Sequence, residues 1–328
     1  MKDFHTVFKE ANLCLAPMAG YTSAPFRAIC FEEGIDFAYT EMVSADGLVR
    51  GGAKTFELMK TLPREGPVGI QLFGSDADIL AEAAQIAQRE GPAFIDVNCG
   101  CPVRKVVKRN GGVALMRDPE RLFKIASKVV SSVDVPVLAK IRSGWSRREE
   151  NFIEAGLALQ SAGVLAVAIH PRYRDQGFTG KANWEHIARL REALKIEVIA
   201  NGDVQSVDDF FALRNLTGVR IVMIGRGALG RPWIFRMIKE AISGKRLDDI
   251  SHRERIEYLR KHYQLEVEWK GEKRGTLEMR KQWRWYLRGI PGIKDYRARL
   301  STTQTASQVF QILEQLEEEL DKLWKSQS

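Results

Sequence analysis

The sequence predicts an α/β protein: a TIM (β/α)8 barrel followed by a small C-terminal domain made only of helices. Eight short apolar runs alternate with amphipathic segments over about 240 residues, as in repeated βα units. After these runs the strand signals stop, and only helical periodicity continues to the C-terminus. The 328 residues are enough to bury a barrel core and to form a further small domain.

Each apolar run is predicted to be one barrel strand. In chain order the runs are LCLAPMAG from Leu13, FAYTEMVSA from Phe37, PVGIQLFG from Pro67, FIDVNCG from Phe94, PVLAKIRSG from Pro136, VAIHPR from Val167, EVIANGD from Glu197 and IVMIGRG from Ile221. A doubly wound sheet is the alternative. It needs no eighth unit, and it predicts a G-x-G-x-x-G motif after an early strand, which is missing here.

The segments between the runs are predicted to be helices. DADILAEAAQIAQREG, for example, has helical periodicity and a cap at Ser75 or Asp76. We expect the barrel to span residues 1–247 and the helical domain residues 248–328. The last helix is acidic, and we expect it to pack through one apolar stripe, formed by Val309, Ile312, Leu313, Leu316 and Leu320.

The charge distribution indicates an acidic partner. The net charge is +8, and residues 270–299 alone contain ten basic and three acidic residues. Within this window, EMRKQWRWYLRGIPG interleaves cations with Trp283, Trp285 and Tyr286, a mixture typical of RNA binding. The aromatic residues could instead form the core of the domain, and for Trp285 and Tyr286 we favour that interpretation.

The cysteines and the N-terminus limit the class of protein. Four cysteines are too few for a disulfide scaffold and lack the paired spacing of a zinc site, so free thiols are expected. The N-terminal segment is too charged for a signal peptide, and no apolar stretch approaches about 18 residues. We therefore expect a cytoplasmic protein with no membrane segment and no metal, and we expect it to be monomeric.

Polar residues close all eight runs, where TIM barrels place their active sites. Any one of them could be an ordinary solvated strand end, but eight sets in register indicate a site. ANGD and IGRG are glycine-rich where such barrels bind phosphate. Lys140 could stabilise an anionic flavin edge, and Gln71 could both donate to and accept from one. An ion pair between Lys140 and a carboxylate such as Glu41 is the alternative.

These residues carry a family resemblance. The segments APMAGYTSAPFR, QLFGSD, DVNCGCPVRKVVKRNGGVALMRDP, KIRSGW, IHPR, IANGDV, MIGRGALGRPWIF and MRKQWRWYLRGIPG together resemble the tRNA-dihydrouridine synthases, most closely the bacterial B-type members. The resemblance implies a TIM barrel with a helical tRNA-binding domain. It also implies FMN as cofactor, NADPH as electron donor, and reduction of uridine in tRNA to 5,6-dihydrouridine.

The resemblance also implies roles for individual residues. Cys101 would be the catalytic cysteine and Asn98 would lie against the target uracil, with Arg172 and Arg174 as further substrate contacts. Tyr173 departs from the family, which usually has Thr at that position. The implied FMN contacts are Pro17, Met18, Ala19, Gln71, Lys140, His170, Asn201, Gly202, Asp203, Gly225 and Arg226.

The chemistry explains the cysteine beside a basic run. Reducing the C5=C6 bond of uracil requires a hydride at C6 and a proton at C5. A thiol of pKa about 8.5 is largely protonated at neutral pH and can supply the proton. We therefore expect the cations from Arg104 to Arg109 to face phosphates rather than the sulfur. The predicted RNA contacts are Arg104, Lys105, Arg280, Lys281 and Arg284.

Two other functions remain open at this stage. A small-substrate FMN barrel, such as a dihydroorotate or dihydropyrimidine dehydrogenase, would share the flavin site but would not need a basic helical domain. An RNA-binding or RNA-folding factor with a vestigial barrel would not need Cys101, Lys140 and the GRG segment to be intact.

Overall fold

The computed structural model of the protein describes residues 3–245, 248–290 and 292–325. The chain forms two compact units, Met1–Gly227 and Ala228–Ser328. The domain boundary expected at 247/248 adjoins residues 246 and 247, which lie outside the described residues, and it stays a prediction. None of the helices in the described ranges has both the length and the apolar character needed to cross a membrane.

Eight parallel strands close into a barrel in the first unit, which confirms the predicted fold. β1 pairs with β2 and β9, β2 pairs with β4, and each later strand pairs with the next one along the chain. The described residues form nine strands; β3 is a short addition beside the end of β4, and the other eight form the barrel. They are β1 (Leu13–Leu15), β2 (Phe37–Tyr39), β3 (Val43–Ser44), β4 (Val68–Phe73), β5 (Phe94–Cys99), β6 (Val137–Gly144), β7 (Ala166–Tyr173), β8 (Glu197–Asn201) and β9 (Ile221–Ile224).

The second predicted strand is divided in two. The run FAYTEMVSA forms β2 and then β3, a two-residue strand that pairs with the end of β4. Between them the Thr40 hydroxyl donates to the Glu41 carbonyl and accepts the N–H of Gln71. Since a side chain here takes the place of a backbone partner, the strand is interrupted at Thr40.

Helices separate the strands as predicted. Asp76, not Ser75, caps the helix after β4, because its carboxylate accepts the N–H groups of Asp78 and Ile79. The helices of this unit are α1 (Phe4–Glu10), α2 (Ala24–Glu32), α3 (Ala45–Val49), α4 (Ala53–Glu57), α5 (Ala77–Gln88), α6 (Arg104–Val107), α7 (Pro119–Ser132), α8 (Phe152–Ser161), α9 (Trp184–Ala193) and α10 (Val207–Thr217).

Aromatic side chains fill the base of the barrel. Phe4 on α1 stacks on Phe94, the first residue of β5, with ring centroids 4.6 Å apart. Phe37, the first residue of β2, meets both rings edge-on. The N-terminal strand ends are therefore packed with apolar side chains, and the polar residues lie at the C-terminal ends.

The second unit is entirely helical over its described residues. It comprises α11 (Ile234–Ile242), α12 (His252–Lys270), α13 (Glu272–Met279), α14 (Trp283–Tyr286), α15 (Ile293–Thr302) and α16 (Ala306–Lys325). Ser251 and Glu254 form a reciprocal capping box at the start of α12. All five residues of the apolar stripe predicted for α16 are buried, which confirms that this helix packs through it.

Candidate active site

Hydrogen bonds join three predicted site residues at the end of β5. Gln71 on β4 lies opposite Asp96 on β5, and the alternation of side chains places Asp96 and Asn98 on one face. Asn98 Nδ2 donates to Gln71 Oε1 at 2.8 Å. Asn98 Oδ1 accepts the backbone N–H of Cys101 at 2.9 Å. The two amides therefore hold the segment that carries the predicted acid.

The environment of Cys101 favours a protonated thiol. The residue is 8% exposed, and burial raises its pKa, while a backbone hydrogen bond at Val103 and the charge of Arg142 oppose the rise. Arg142 Nε donates to the Gly100 carbonyl at 3.0 Å, which holds this cation beside the cysteine loop. Cys99 is fully buried and its pKa is raised well above the usual range, so it offers no accessible thiol.

Lys140 on β6 contacts an amide rather than a carboxylate. Its Nζ donates to Asn201 Oδ1 at 3.0 Å, and Asn201 Nδ2 donates to the Met223 carbonyl at 2.8 Å. The alternative of an ion pair with Glu41 is wrong, because Glu41 accepts the N–H of Gly20 and Lys140 forms no ion pair within the described residues. Burial, with the nearby Arg142, lowers the pKa of Lys140 to about 8, and Asp96 opposes the shift.

A cluster of charges lies at the ends of β7 and β8. Arg172 donates to His170 Nε2 at 3.0 Å and to both carboxylate oxygens of Asp203 at 2.8 and 2.6 Å. Arg226 donates to Asp203 Oδ1 at 3.1 Å. Burial and the surrounding cations lower the pKa of His170 well below its usual value, so its ring is neutral at pH 7.

Arg172 has little surface with which to contact RNA. It is 2% exposed, and in addition to His170 and Asp203 it donates to the carbonyls of Thr179 and Gly180. The family resemblance implied that Arg172 contacts the substrate. The geometry favours a different role, in which its guanidinium orients His170 and Asp203.

The remaining predicted cofactor contacts adjoin this cluster. Gly202 has φ 129°, and a Cβ there would lie 3.0 Å from His170 Cδ2, so the close approach requires glycine. Pro17, Met18 and Ala19 follow β1, which pairs with β9 and therefore brings them next to Gly225 and Arg226. The Met18 sulfur lies 3.4 Å from where a Cβ on Gly225 would be. The predicted cofactor contacts thus share one end of the barrel.

Tyr173, which departs from the family pattern, is held by a carboxylate. Its hydroxyl donates to Glu150 Oε2 at 2.5 Å, and burial together with this contact raises its pKa to about 12. The same carboxylate contacts His186 Nε2 at 3.3 Å and Arg189 at 3.2 Å. The Tyr173 hydroxyl therefore has an intramolecular partner.

The predicted RNA contacts of the barrel lie in two places. Arg104 and Lys105 begin the short helix α6, and both side chains are exposed. The Arg174 guanidinium lies over the Trp145 ring, 4.6 Å from its centroid, and Arg117 lies over the same ring at 4.7 Å. Two stacked cations around one indole are a further candidate surface for phosphates and bases.

In the helical unit the predicted RNA contacts differ in exposure. Arg280 is half-buried and donates to the Thr303 carbonyl at 2.8 Å, and Lys281 is also half-buried. Arg284 is exposed and lies over the Trp285 ring, 5.0 Å from its centroid.

The aromatic side chains of this segment are mostly internal. Tyr286 is buried, as favoured from the sequence, and its hydroxyl lies 3.1 Å from His262 Nδ1. Trp285 is half-buried. Trp283, for which stacking on RNA and a place in the core were both open, is buried and packs in the core against Tyr263.

Three neighbouring residues were missed as site residues or left without a role. Asp96 shares a face with Asn98 in FIDVNCG, and this period-two alternation was the signal available in the sequence. Arg142 lies near the end of the run PVLAKIRSG, and no role was predicted for it. Phe178, exposed in the loop after β7, has the guanidiniums of Arg226 and Arg142 over its ring at 4.8 and 5.4 Å, and no sequence pattern indicated this arrangement.

The donor set of this site is suited to an organic cofactor with anionic groups. It presents Lys140, Arg226 and the Gln71 amide around a glycine-containing loop. Across the described ranges, no group of three or more His, Cys, Asp or Glu side chains is arranged to hold a metal ion.

Comparison with known proteins adds independent findings. A family model described as Dihydrouridine synthase (Dus) matches residues 14–324. tRNA-dihydrouridine synthase B of Pseudomonas putida is 38% identical over 299 residues, covering 89% of this chain and 87% of the relative. The protein of the same name from Pseudomonas aeruginosa is 38% identical over 294 residues, covering 89% of each chain.

One further relative is similar to the same extent, whereas a match among solved structures is weak. A probable tRNA-dihydrouridine synthase 1 from Synechocystis sp. is 37% identical over 309 residues, covering 93% of this chain and 86% of the relative. Among solved structures, a nitroalkane oxidase from Streptomyces ansochromogenes matches 67% of each chain with a TM-score of 0.40 and 15% identity. That similarity is too low to support an argument.

Proposed function

The chain belongs to the dihydrouridine synthase family, and from this premise we propose that it reduces the C5=C6 bond of uridine in tRNA to 5,6-dihydrouridine. The cofactor would be FMN, with NADPH as the electron donor. The observation that carries the proposal is the pair of hydrogen bonds from Gln71 through Asn98 to the Cys101 backbone at the polar end of the barrel. This arrangement presents a protonated thiol beside two amides that can recognise a base.

The residues that would hold FMN fit its chemistry. FMN, when bound, would supply the hydride for C6 of the uracil ring. The Lys140 ammonium has two N–H donors beyond the one that Asn201 accepts, and these can stabilise an anionic ring edge. Arg226 and the Gly202 loop would contact the phosphate, which the positive charge and the close backbone approach favour.

Cys101 would supply the proton. Its S–H donates to C5 of the uracil, the new C–H bond takes the proton, and the electron pair of the S–H bond stays on the sulfur as thiolate. Water then restores the thiol. Burial raises the pKa of Cys101, which keeps the acid form populated before the reaction.

The substrate base has to leave its stack to reach Cys101. Extrusion of a nucleotide costs a few kcal/mol, which contacts to the flanking RNA must supply. Arg104, Lys105 and Arg174 of the barrel, with Arg280, Lys281 and Arg284 of the helical unit, would contact phosphates. Asn98 Nδ2 has a second N–H with which to meet a uracil carbonyl.

The test is direct. The purified protein is incubated with FMN, NADPH and tRNA transcribed without modifications, and the nucleosides of the digested tRNA are analysed by mass spectrometry. We expect a yellow protein with one FMN per chain, and a product two mass units heavier than uridine.

A parallel incubation with free uracil, orotate and uridine, each of which NADPH-reduced flavin could reduce, tests the small-substrate alternative. Turnover of one of these without turnover of tRNA would replace the proposal with a small-molecule oxidoreductase. A colourless protein that takes up no FMN and modifies no tRNA would end it.

A further inference from the structure

We propose that Asp96 is a positioning residue for Cys101, acting through the side chains of Gln71 and Asn98. The carboxylate of Asp96 lies inside the barrel and, among the described residues, forms no hydrogen bond with the cysteine or its loop. It accepts a hydrogen bond from Gln71 Nε2 at 2.7 Å, and from there the Asp96–Gln71–Asn98 relay leads to Cys101. The inference rests on the proposed function in taking Cys101 as the proton donor.

The relay has one consistent direction of donors and acceptors. At one end the carboxylate of Asp96 accepts, so Gln71 must turn its NH2 group inward and its Oε1 toward Asn98. Asn98 then donates through Nδ2, which leaves Oδ1 for the N–H groups of Gly100 at 3.2 Å and Cys101 at 2.9 Å. Each amide is therefore held through both its oxygen and its nitrogen.

The relay does not depend on the charge of Asp96, because the second carboxylate oxygen can take up a proton. Asp96 Oδ1 is buried and has no hydrogen-bond partner among the described residues. Burial raises the pKa of Asp96 to about 7, and Gln71 and Lys140 oppose the rise. The other titratable groups that interact with it are Cys14 on β1, Tyr39 on β2 and Cys99 on β5. A proton added to Oδ1 leaves Oδ2 free to accept from Gln71. The hydrogen bond, rather than the charge, is what positions the relay.

Burying the Asp96 carboxylate lowers the stability of the fold, which indicates that the side chain has a role other than stabilisation. Asp96 is fully buried, and a buried carboxyl group with one oxygen unpartnered is destabilising compared with an apolar side chain of similar size. Stability alone would favour an apolar pair at positions 71 and 96 over this buried hydrogen-bonded pair. Retention of aspartate where it costs stability is the pattern expected of a side chain that serves a site.

Two variants separate the hydrogen bond from the charge. Asp96→Asn keeps a carbonyl oxygen that can accept from Gln71 Nε2 and places its own NH2 where Oδ1 has no partner. Asp96→Val removes the acceptor and leaves the Gln71 N–H unsatisfied, so the relay should reorient. Val97→Ala is the matched control, because Val97 is the next, fully buried residue of the same strand and lies outside the relay.

The first readout is alkylation of Cys101 by iodoacetamide in FMN-free protein, followed by peptide mass spectrometry. Cys14, Cys30 and Cys99 are fully buried and serve as internal references. We expect Asp96→Val to speed alkylation of Cys101 by about three- to tenfold, the effect of losing one hydrogen bond from the loop. Asp96→Asn should stay within about twofold of the natural protein, as should Val97→Ala.

The second readout is reaction of the reduced, FMN-loaded protein with tRNA in a single turnover. Asp96→Val should slow flavin reoxidation by about tenfold, with tRNA affinity unchanged, because a displaced acid slows proton transfer without removing any phosphate contact. Asp96→Asn should restore the rate. The melting temperature of Asp96→Val shows whether the variant is folded, and we expect it to fall slightly because the buried Gln71 N–H loses its acceptor.

Several results would overturn the inference. Unchanged alkylation and unchanged reoxidation in Asp96→Val would mean that the residue positions nothing. Equal defects in Asp96→Asn and Asp96→Val would assign the effect to the charge. An equal effect of Val97→Ala would assign it to general loosening of β5. If Asp96→Val does not fold, Gln71→Met breaks the same relay and is judged by alkylation of Cys101 in FMN-free protein alone, because Gln71 is also a predicted FMN contact.

The alkylation result is independent of the proposed function. If the natural protein reduces no uridine yet Asp96→Val exposes Cys101 and Asp96→Asn does not, the relay stands and the proposed reaction fails. If tRNA is reduced normally by all three variants and alkylation does not change, the reaction stands and the relay fails.

Discussion

Two segments of this protein are rich in Lys and Arg but present their charges differently. The first is 104–109 in the barrel. Its four cations, Arg104, Lys105, Lys108 and Arg109, are all exposed, and their side chains form no hydrogen bond or ion pair within the described residues. The second is 270–299 in the helical unit, where much of the positive charge is engaged within the chain.

In the second segment, several cations form ion pairs with particular carboxylates of the same unit. Lys270 lies 2.8 Å from Glu266 and 2.7 Å from Glu278, and Arg274 lies 2.9 Å from the same Glu278. Burial lowers the pKa of Lys270, but these carboxylates more than compensate, and the net pKa is raised. Arg280 donates to a backbone carbonyl, as described above. A net charge counted along a sequence therefore overstates the charge that a partner can reach.

The comparison predicts that both segments bind RNA and that neither performs the reaction. If neither segment performs the reaction, the largest effect is expected from the predicted acid. Cys101→Ala should lower uridine reduction by about 10² to 10⁴-fold, the usual contribution of general acid catalysis. FMN and tRNA affinity should persist. Single-turnover flavin reoxidation by tRNA measures the effect.

Cys99→Ala is the control, since its side chain is fully buried. We expect it to remain active. Equal losses in the two variants would show that the assignment of the acid to Cys101 is wrong.

The first segment can be tested by removing two of its cations. Arg104→Ala with Lys105→Ala should weaken tRNA binding and reduce the slope of log K against log salt by about 1.4 to 1.8, or 0.7 to 0.9 for each phosphate contact. Titration of tRNA binding at several salt concentrations gives the slope.

Two exposed cations at the opposite end of the barrel serve as the control for Arg104 and Lys105. Arg89 and Lys195 are exposed residues that precede β5 and β8, and replacing both with Ala removes the same charge. This pair should leave the slope nearly unchanged. If the two double variants behave alike, only net charge matters and the segment 104–109 forms no specific surface.

The second segment should show a smaller change for each cation removed. Replacing Arg280, Lys281 and Arg284 with Ala should weaken tRNA binding and lower the salt slope, but by less than the roughly 2.1 to 2.7 expected for three full phosphate contacts. Arg280 is the reason, because its guanidinium already donates to Thr303. NADPH-driven flavin reduction should continue at its normal rate.

The exposed cations Lys273, Arg288 and Lys294 offer a comparison set within the same segment. Replacing these three with Ala should lower the slope by more than the first set does, if exposure decides the contribution. An unchanged affinity and slope in both triple variants would remove the helical unit from the RNA-binding surface.

The smallest expected effect concerns a buried cation. The pKa of Lys140 is lowered to about 8 by burial and Arg142, so Lys140 is an ammonium below pH 8 and loses its charge as the pH rises through that value. FMN affinity of the apoprotein should therefore fall by about three- to tenfold between pH 7 and pH 9, as one charge-assisted hydrogen bond weakens.

Flavin fluorescence titration at each pH measures this fall. Lys140→Met should have a lower affinity with no inflection near pH 8. The exposed cations of 104–109 provide the contrast, since replacing Arg104 and Lys105 should leave the inflection in place. An inflection that survives in Lys140→Met would assign the titration to another group.

The sequence by itself determined the architecture and singled out Cys101 as the predicted acid. Eight apolar runs with intervening helical periodicity predicted the barrel, because strand and helix periods are local properties of the chain. Cys101 could be separated from Cys99 through the GCP motif of the family resemblance. The apolar stripe of α16 followed from the spacing of five residues and is buried as expected.

Tertiary structure alone decided which polar groups meet. Gln71 and Asp96 are 25 residues apart and become partners because β4 and β5 pair in one register inside a closed barrel. Arg172 and Asp203 are 31 residues apart and meet across the ends of β7 and β8. A strand-end pattern identifies such residues but not their partners. Burial and hydrogen bonding depend on the closure of the barrel, which brings distant parts of the chain to the same strand ends and determines whether a cation is available to a ligand or already engaged.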